Sequence, residues 1–125
     1  MNVLFVCSRN RIRSLTAERV FGRIDGWTVR SAGTQPEARV VVSEALIAKS
    51  DTILVMEKSH LARLRRRFGR LLDGKHVAAL HIPDDYTYLQ PELVDELIAR
   101  VAEHLPLPEG FGERDDLGDT NLGST

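Results

Sequence analysis

Hydrophobic positions follow two alternating rhythms along the chain. Asn2-Val3-Leu4-Phe5-Val6 is a near-continuous apolar run, as expected of a parallel strand covered on both faces. Leu15, Ala17, Val20, Phe21 and Ile24 then recur at helical spacing, and Asp25-Gly26 ends the stripe. Residues 27–30 read as a second strand. Ser43 is placed to cap a short helix over 44–49, and 52–56 give a third strand of β-branched and apolar side chains. Ser59 reads as the N-cap of a helix carrying Leu61, Leu64, Phe68, Leu71 and Leu72, which Asp73-Gly74 stops. Residues 76–80 form a fourth strand. Pro91 suits the first turn of a last helix, buried along Leu93, Val94, Leu97, Ile98, Val101 and Leu105.

Strands and helices alternate, which predicts an α/β fold in three layers: a parallel sheet of four strands with helices on both faces. Ligands of such sheets bind beyond the carboxyl ends of the strands. After Leu105 the periodicity stops, and Pro106, Pro108, four glycines and a run of acids follow. The expected organisation is one domain over 1–105 and a mobile acidic tail over 106–125.

Composition narrows the classes. A chain of 125 residues can bury one core of its own. No apolar run approaches the ~20 residues of a membrane span, and the first run is too short for a signal peptide, so no membrane partner is expected. Cys7 is the one cysteine and the four histidines are scattered. That pattern predicts no disulfide framework, no metal, no cofactor, and a reducing, cytoplasmic setting. The net charge of −1 hides an asymmetry: residues 1–75 carry 15 basic and 7 acidic side chains, residues 76–125 carry 2 and 11. A basic front half suits an anionic ligand. Arg63, Arg65, Arg66, Arg67 and Arg70 crowd one helix and read as its solvated face, which argues against a nucleic-acid partner.

The chemistry concentrates in Cys7-Ser8-Arg9-Asn10-Arg11-Ile12-Arg13-Ser14, between the first strand and the first helix. A loop entering a helix N-terminus offers backbone N–H groups and a favourable dipole to an anion. A thiol in such a cradle is favoured as the reactive thiolate. Arg13 can fold back and grip two oxygens of a phosphate at once. Ser14, directly behind it, can donate a hydrogen bond to the sulfur. Inorganic phosphate or sulfate would fit the same loop.

Val3-Leu4-Phe5-Val6-Cys7, Asn10, Arg13-Ser14 and Ala17-Glu18 resemble the opening of the low-molecular-weight protein tyrosine phosphatases. Ser31-Ala32-Gly33-Thr34, Ile53-Leu54-Val55-Met56 and Ile82-Pro83-Asp84-Asp85-Tyr86 resemble later motifs of that family, in family order from residue 3 to about residue 104. The resemblance implies strand order 2-1-3-4. It also implies hydrolysis of phosphotyrosine, on a protein or as a small aryl phosphate, through a phosphocysteine. Cys7 would be the nucleophile. The backbone of Ser8, Arg9, Asn10, Arg11, Ile12 and Arg13, with the Arg13 guanidinium, would bind the phosphoryl group, and Asn10 would brace the loop. The family's Asp-Pro-Tyr acid stands two residues before its tyrosine, which selects Asp84, although Asp85 is adjacent and takes the proline's place. Tyr86 and Tyr88 would wall the substrate ring.

Four departures qualify this expectation. Arg9 replaces the family's usual glycine, and Arg11 a usually apolar residue, so two extra cations at the rim suggest a more acidic substrate or one with a second anionic group. Ile12 stands where many members carry a second cysteine. The Gln35–Ser50 segment is short and has no aromatic residue, which weakens the case for phosphotyrosine more than for phosphate chemistry. Two alternatives stay open: an arsenate-type oxyanion reductase, which with one cysteine would need an external thiol, and a non-enzymatic phosphate or nucleic-acid binding module.

Overall fold

The computed structural model describes residues 1–112. Four parallel strands, β1 (Asn2–Cys7), β2 (Thr28–Gly33), β3 (Thr52–Val55) and β4 (His76–Ala79), form one sheet in the order β2-β1-β3-β4. Helices α1 (Arg13–Phe21), α2 (Glu44–Lys49), α3 (Lys58–Phe68) and α4 (Pro91–Val101) connect and cover it. The expected α/β class and strand order are both observed.

The two-residue period of β1 divides the core. Val3, Phe5 and Cys7 face the layer of α1 and α4, where Phe5 stacks on Phe21 with ring centroids 5.4 Å apart. Leu4 and Val6 face Ile47 of α2 and Leu64 and Phe68 of α3. Burial on both faces is why β1 reads as an unbroken apolar run. β1 pairs with β2 on one side and β3 on the other, so successive connections leave it in opposite directions. That switch point opens a crevice at its carboxyl end, where Cys7 lies.

Several boundaries differ from the sequence reading. β2 continues through Ser31-Ala32-Gly33, small residues held in strand form by pairing with Phe5, Val6 and Cys7. A side chain at Gly33 would put its Cβ 2.5 Å from the Ser8 carbonyl oxygen, so only glycine lets β2 end this close to the Cys7 loop. α3 starts one residue before Ser59, with Glu57 as its N-cap, and stops at Phe68 because Gly69 turns to φ +48°. A single 3-10 turn over Gly69–Leu72 follows. α2 and its Ser43 cap match the expectation, with Ser43 Oγ accepting from Leu46 N at 3.2 Å.

The start of the expected tail is packed. Leu107 and Phe111 lie against the α1/α4 side of the core, and Phe111 stacks on Phe21 at 5.7 Å. Two well-spaced apolar side chains suffice to pin a stretch that carries no periodicity. The rest of that segment, 113–125, lies outside the described residues. Among the described residues no helix is long and apolar enough to cross a membrane.

Candidate active site

β1 carries Cys7 to the sheet edge, and α1 begins at Arg13. The residues between must reverse the chain over the strand end. Asn10 does this at φ +58°, a left-handed conformation that asparagine tolerates better than most residues. The turn aims its backbone N–H at Cys7 Sγ, 3.3 Å away. Its buried side chain donates from Nδ2 to Ser14 Oγ at 2.8 Å, and Ser14 Oγ lies 3.0 Å from Cys7 Sγ. With Asn10 donating to it, the Ser14 hydroxyl can direct its proton to the sulfur. Two donors thus converge on one thiol. Asn10 and Ser14 sit beneath the loop as braces and do not line the cavity above it.

Arg13 is 3% exposed, so its guanidinium needs partners for its N–H groups. Nη1 donates to the Glu57 carboxylate and to the Ile82 carbonyl oxygen, the latter at 2.8 Å. Nε lies 3.6 Å from Asp84 Oδ1. The hydrogen bond from Arg13 holds the Glu57 carboxyl below its usual range, against the opposing effect of burial. Glu57, at the α3 N-terminus, and Ile82, on the strand-to-loop exit after β4, therefore fix the arginine from two separate segments.

His60 links the same helix to the Cys7 loop. Its Nδ1 accepts from Glu57 N at 3.0 Å, so the ring proton sits on Nε2, which is 2.9 Å from Ser8 Oγ. Burial, and the nearby Arg13 charge, push the His60 pKa down to about 4, and the ring is neutral at pH 7. A neutral Nε2–H donor leaves the Ser8 hydroxyl proton free for a ligand.

Above these braces lies a cavity of about 490 Å³ lined by Cys7, Ser8, Arg9, Arg11, Ile12, Arg13, Gln35 and Asp84. Sulfur, guanidinium and carboxylate share one opening. Asp85 is exposed and does not line it. Tyr86 does not line it either: its ring packs against the α1/α4 core, and Tyr88 is 43% exposed away from the cavity. In this structure neither tyrosine is among the residues that line the cavity. The loop is pinned at both ends, by Ile82 N to Met56 O (2.9 Å) and by Leu89 N to Thr16 Oγ1 (3.0 Å), which carries Tyr86 toward α1 and α4. Arg9 makes only a long, exposed contact with Glu37 (3.9 Å), a pair worth little in water.

Sequence reading missed Glu57, His60 and Gln35. Glu57 and Gln35 follow the C-termini of β3 and β2, the edge where the Cys7 loop was already expected, and His60 is one helical turn further on. Position at that edge was the available signal. Among the described residues no three His, Cys, Asp or Glu side chains gather as a metal site would require.

No protein-family model and no curated protein matches the sequence. Solved structures do. A YwlE mutant from Bacillus subtilis is 25% identical with a TM-score of 0.61, covering 82% of this chain and 97% of that one. A YwlE arginine phosphatase, a cysteine-to-serine mutant whose active-site serine is phosphorylated, is 25% identical with a TM-score of 0.65 over 87% and 98% of the two chains. The tyrosine phosphatase Wzb from Escherichia coli K30, in complex with phosphate, is 23% identical with a TM-score of 0.58 over 82% and 94%. The likeness spans 82–87% of this chain and 94–98% of those structures. The chain shares the fold of these phosphatases and is similar to the low-molecular-weight protein tyrosine phosphatases, which are cysteine-dependent phosphomonoester hydrolases.

Proposed function

We propose that the protein hydrolyses phosphotyrosine or a related aryl phosphate monoester through a phosphocysteine intermediate. The observation that carries this reading is the meeting of Cys7, Arg13 and Asp84 around one cavity. The Cys7 thiolate, accepting from Asn10 N–H and Ser14 Oγ–H, attacks phosphorus in line with the leaving oxygen. Backbone N–H groups of the Ser8–Arg13 loop and the Arg13 guanidinium hold the equatorial oxygens, whose charge grows in the transition state. As the P–O bond to the leaving group breaks, protonated Asp84 gives its proton to the departing phenolate. The Asp84 carboxylate then takes a proton from the water that attacks the phosphocysteine, the S–P bond breaks, and phosphate leaves with the thiolate restored. Asp84 is favoured over Asp85 because it lines the cavity and lies beside Arg13.

Three of the similar structures are YwlE proteins, two of them described as arginine phosphatases, and a drosophila protein is described as one too. Here Arg9 and Arg11 line the entrance, and a phosphoarginine would bring its own guanidinium cation against them. Like charges at that distance disfavour that substrate relative to a neutral aryl or acidic one. The free thiol supports a reducing, cytoplasmic setting. The test is turnover of paired peptides carrying phosphotyrosine or phosphoarginine at one position. Release of phosphate from phosphotyrosine with kcat/KM at least tenfold higher is expected. Preference for phosphoarginine contradicts the substrate assignment. Reduction of arsenate by an added thiol, with no ester cleavage, contradicts the reaction class.

A further inference from the structure

A second basic recess lies beside the catalytic cavity. It has a volume of about 190 Å³, with Arg63, Arg66 and Arg67 along one side and Thr34, Val42 and Leu64 toward its base. We propose that this recess is an anion subsite that takes an acidic side chain of the phosphorylated polypeptide, near the residue being dephosphorylated. The proposal rests on the phosphatase reading and names the kind of substrate.

Positions 63, 66 and 67 share one face of α3. Among the described residues no carboxylate lies within ion-pairing distance of any of them, although Arg9, Arg13, Arg39 and Arg100 all have such a partner. The helix C-terminus favours cations in its last turn, which accounts for Arg66 and Arg67 but not for Arg63. Nor does it account for their convergence on a concavity. Thr34 Oγ1, buried at that wall, has no hydrogen-bond partner among the described residues. The lining holds no acid and no thiol, so the recess can bind an anion but not process it.

Its position ties it to the reaction. Thr34 N donates to Cys7 O and Gln35 N to Ser8 O, both at 2.9 Å, and Gln35 lines the catalytic cavity. On the other wall, Arg63 and Leu64 stand one turn beyond His60, which bonds Ser8. One residue step, or one helical turn, separates the two recesses. A polypeptide fits better than a nucleic acid. The single aromatic ring in the lining, Phe68, is covered by the Arg67 guanidinium at 4.9 Å, so it offers no free face for a base.

The experiment compares two phosphotyrosine peptides, one with Glu and one with Gln at the flanking positions, on wild type and on the Arg63→Gln, Arg66→Gln, Arg67→Gln triple variant. For wild type at low salt, KM for the Glu peptide is expected to be about tenfold lower than for the Gln peptide. The triple variant is expected to lose that difference while keeping kcat and its turnover of p-nitrophenyl phosphate. Survival of the preference in the variant overturns the proposal, because the rim arginines would then account for it. Equal KM values in wild type overturn it too. A titration with the unphosphorylated Glu peptide separates the two readings. If wild type binds it, the variant does not, and neither cleaves any phosphotyrosine substrate, the subsite stands and the phosphatase reading falls. A single-stranded oligonucleotide that displaces the Glu peptide at lower concentration than the peptide itself overturns the assignment to a polypeptide.

Discussion

The buried guanidinium of Arg13 is gripped by the carboxylate of Glu57, 44 residues later in the chain, at the first turn of α3. One Nη1 therefore serves both Glu57 and the Ile82 carbonyl, and Nε remains beside Asp84. The arrangement fixes the arginine's angle before substrate arrives, so little reorganisation is left for the reaction itself.

Glu57→Gln should loosen that grip without emptying the site. Removing one partner of a buried charge leaves the other unpaired, and Glu57 is itself partly exposed, so the loss of stability should be about 1–3 kcal/mol. Affinity for inorganic phosphate and kcat/KM should fall by roughly tenfold or more as the guanidinium samples other angles. Calorimetric phosphate binding and thermal unfolding check both. A variant that keeps wild-type kcat/KM would show that Glu57 serves only the fold of α3.

Arg13→Lys tests the grip from the other side. A lysine keeps the charge but not the planar pair of donors. Turnover of an aryl phosphate should drop on the order of 100-fold or more, the scale of losing a transition-state donor. A loss of only a few-fold would mean the guanidinium does not hold the phosphoryl group.

How these parts could be read from sequence differs residue by residue. β1 and the Cys7–Ser14 loop were legible because burial on both faces, a lone thiol and an arginine at fixed spacing leave a local trace. Ser43 and Pro91 marked helix starts by their own chemistry. Glu57 and His60 left no such trace: each acts across 44 or 52 residues on a group in the loop, and nothing near Glu57-Lys58-Ser59-His60 shows what faces it. The motif position of Tyr86 suggested a cavity wall, and its ring is partly buried against the α1/α4 core, a packing that a motif does not show. Phe111 misled in the opposite sense, since one aromatic in a Pro- and Gly-rich stretch gives no period, yet it stacks on Phe21.

His60 gives the fold a pH signature. Its ordinary value of 6.5 falls to about 4 in the folded chain. Between those values the unfolded chain binds a proton that the folded chain refuses. Stability is therefore full above pH 6.5 and declines as pH falls toward 4, by up to about 3 kcal/mol for such a group. Glu57, with its carboxyl held low, adds loss of the same sign at still lower pH. Urea midpoints at pH 7, 5.5 and 4.5 should fall steeply for wild type and less steeply for His60→Gln. Parallel slopes would remove His60 from the account.

The acid is tested by leaving group. Asp84→Asn should slow release of phosphotyrosine by roughly 10²–10⁴, the usual range for general acid catalysis, and should slow an activated aryl phosphate far less. Asp85, exposed and away from the cavity, should show no such dependence when changed to Asn. Steady-state rates of both variants on both substrates decide it. A selective loss in Asp85→Asn instead would move the acid by one residue, and a loss in neither would leave the Ile82–Tyr86 loop without a chemical role.

The central claim is that phosphate passes through Cys7. The most direct measurement is acid-quenched single turnover of a radiolabelled aryl phosphate, followed by peptide mapping. About one equivalent of label per chain should appear as an alkali-stable, iodine-cleavable S-phosphocysteine on the peptide containing Cys7. Cys7→Ala should show neither label nor turnover. Steady hydrolysis with no label on that peptide, or hydrolysis that survives Cys7→Ala, would contradict the account.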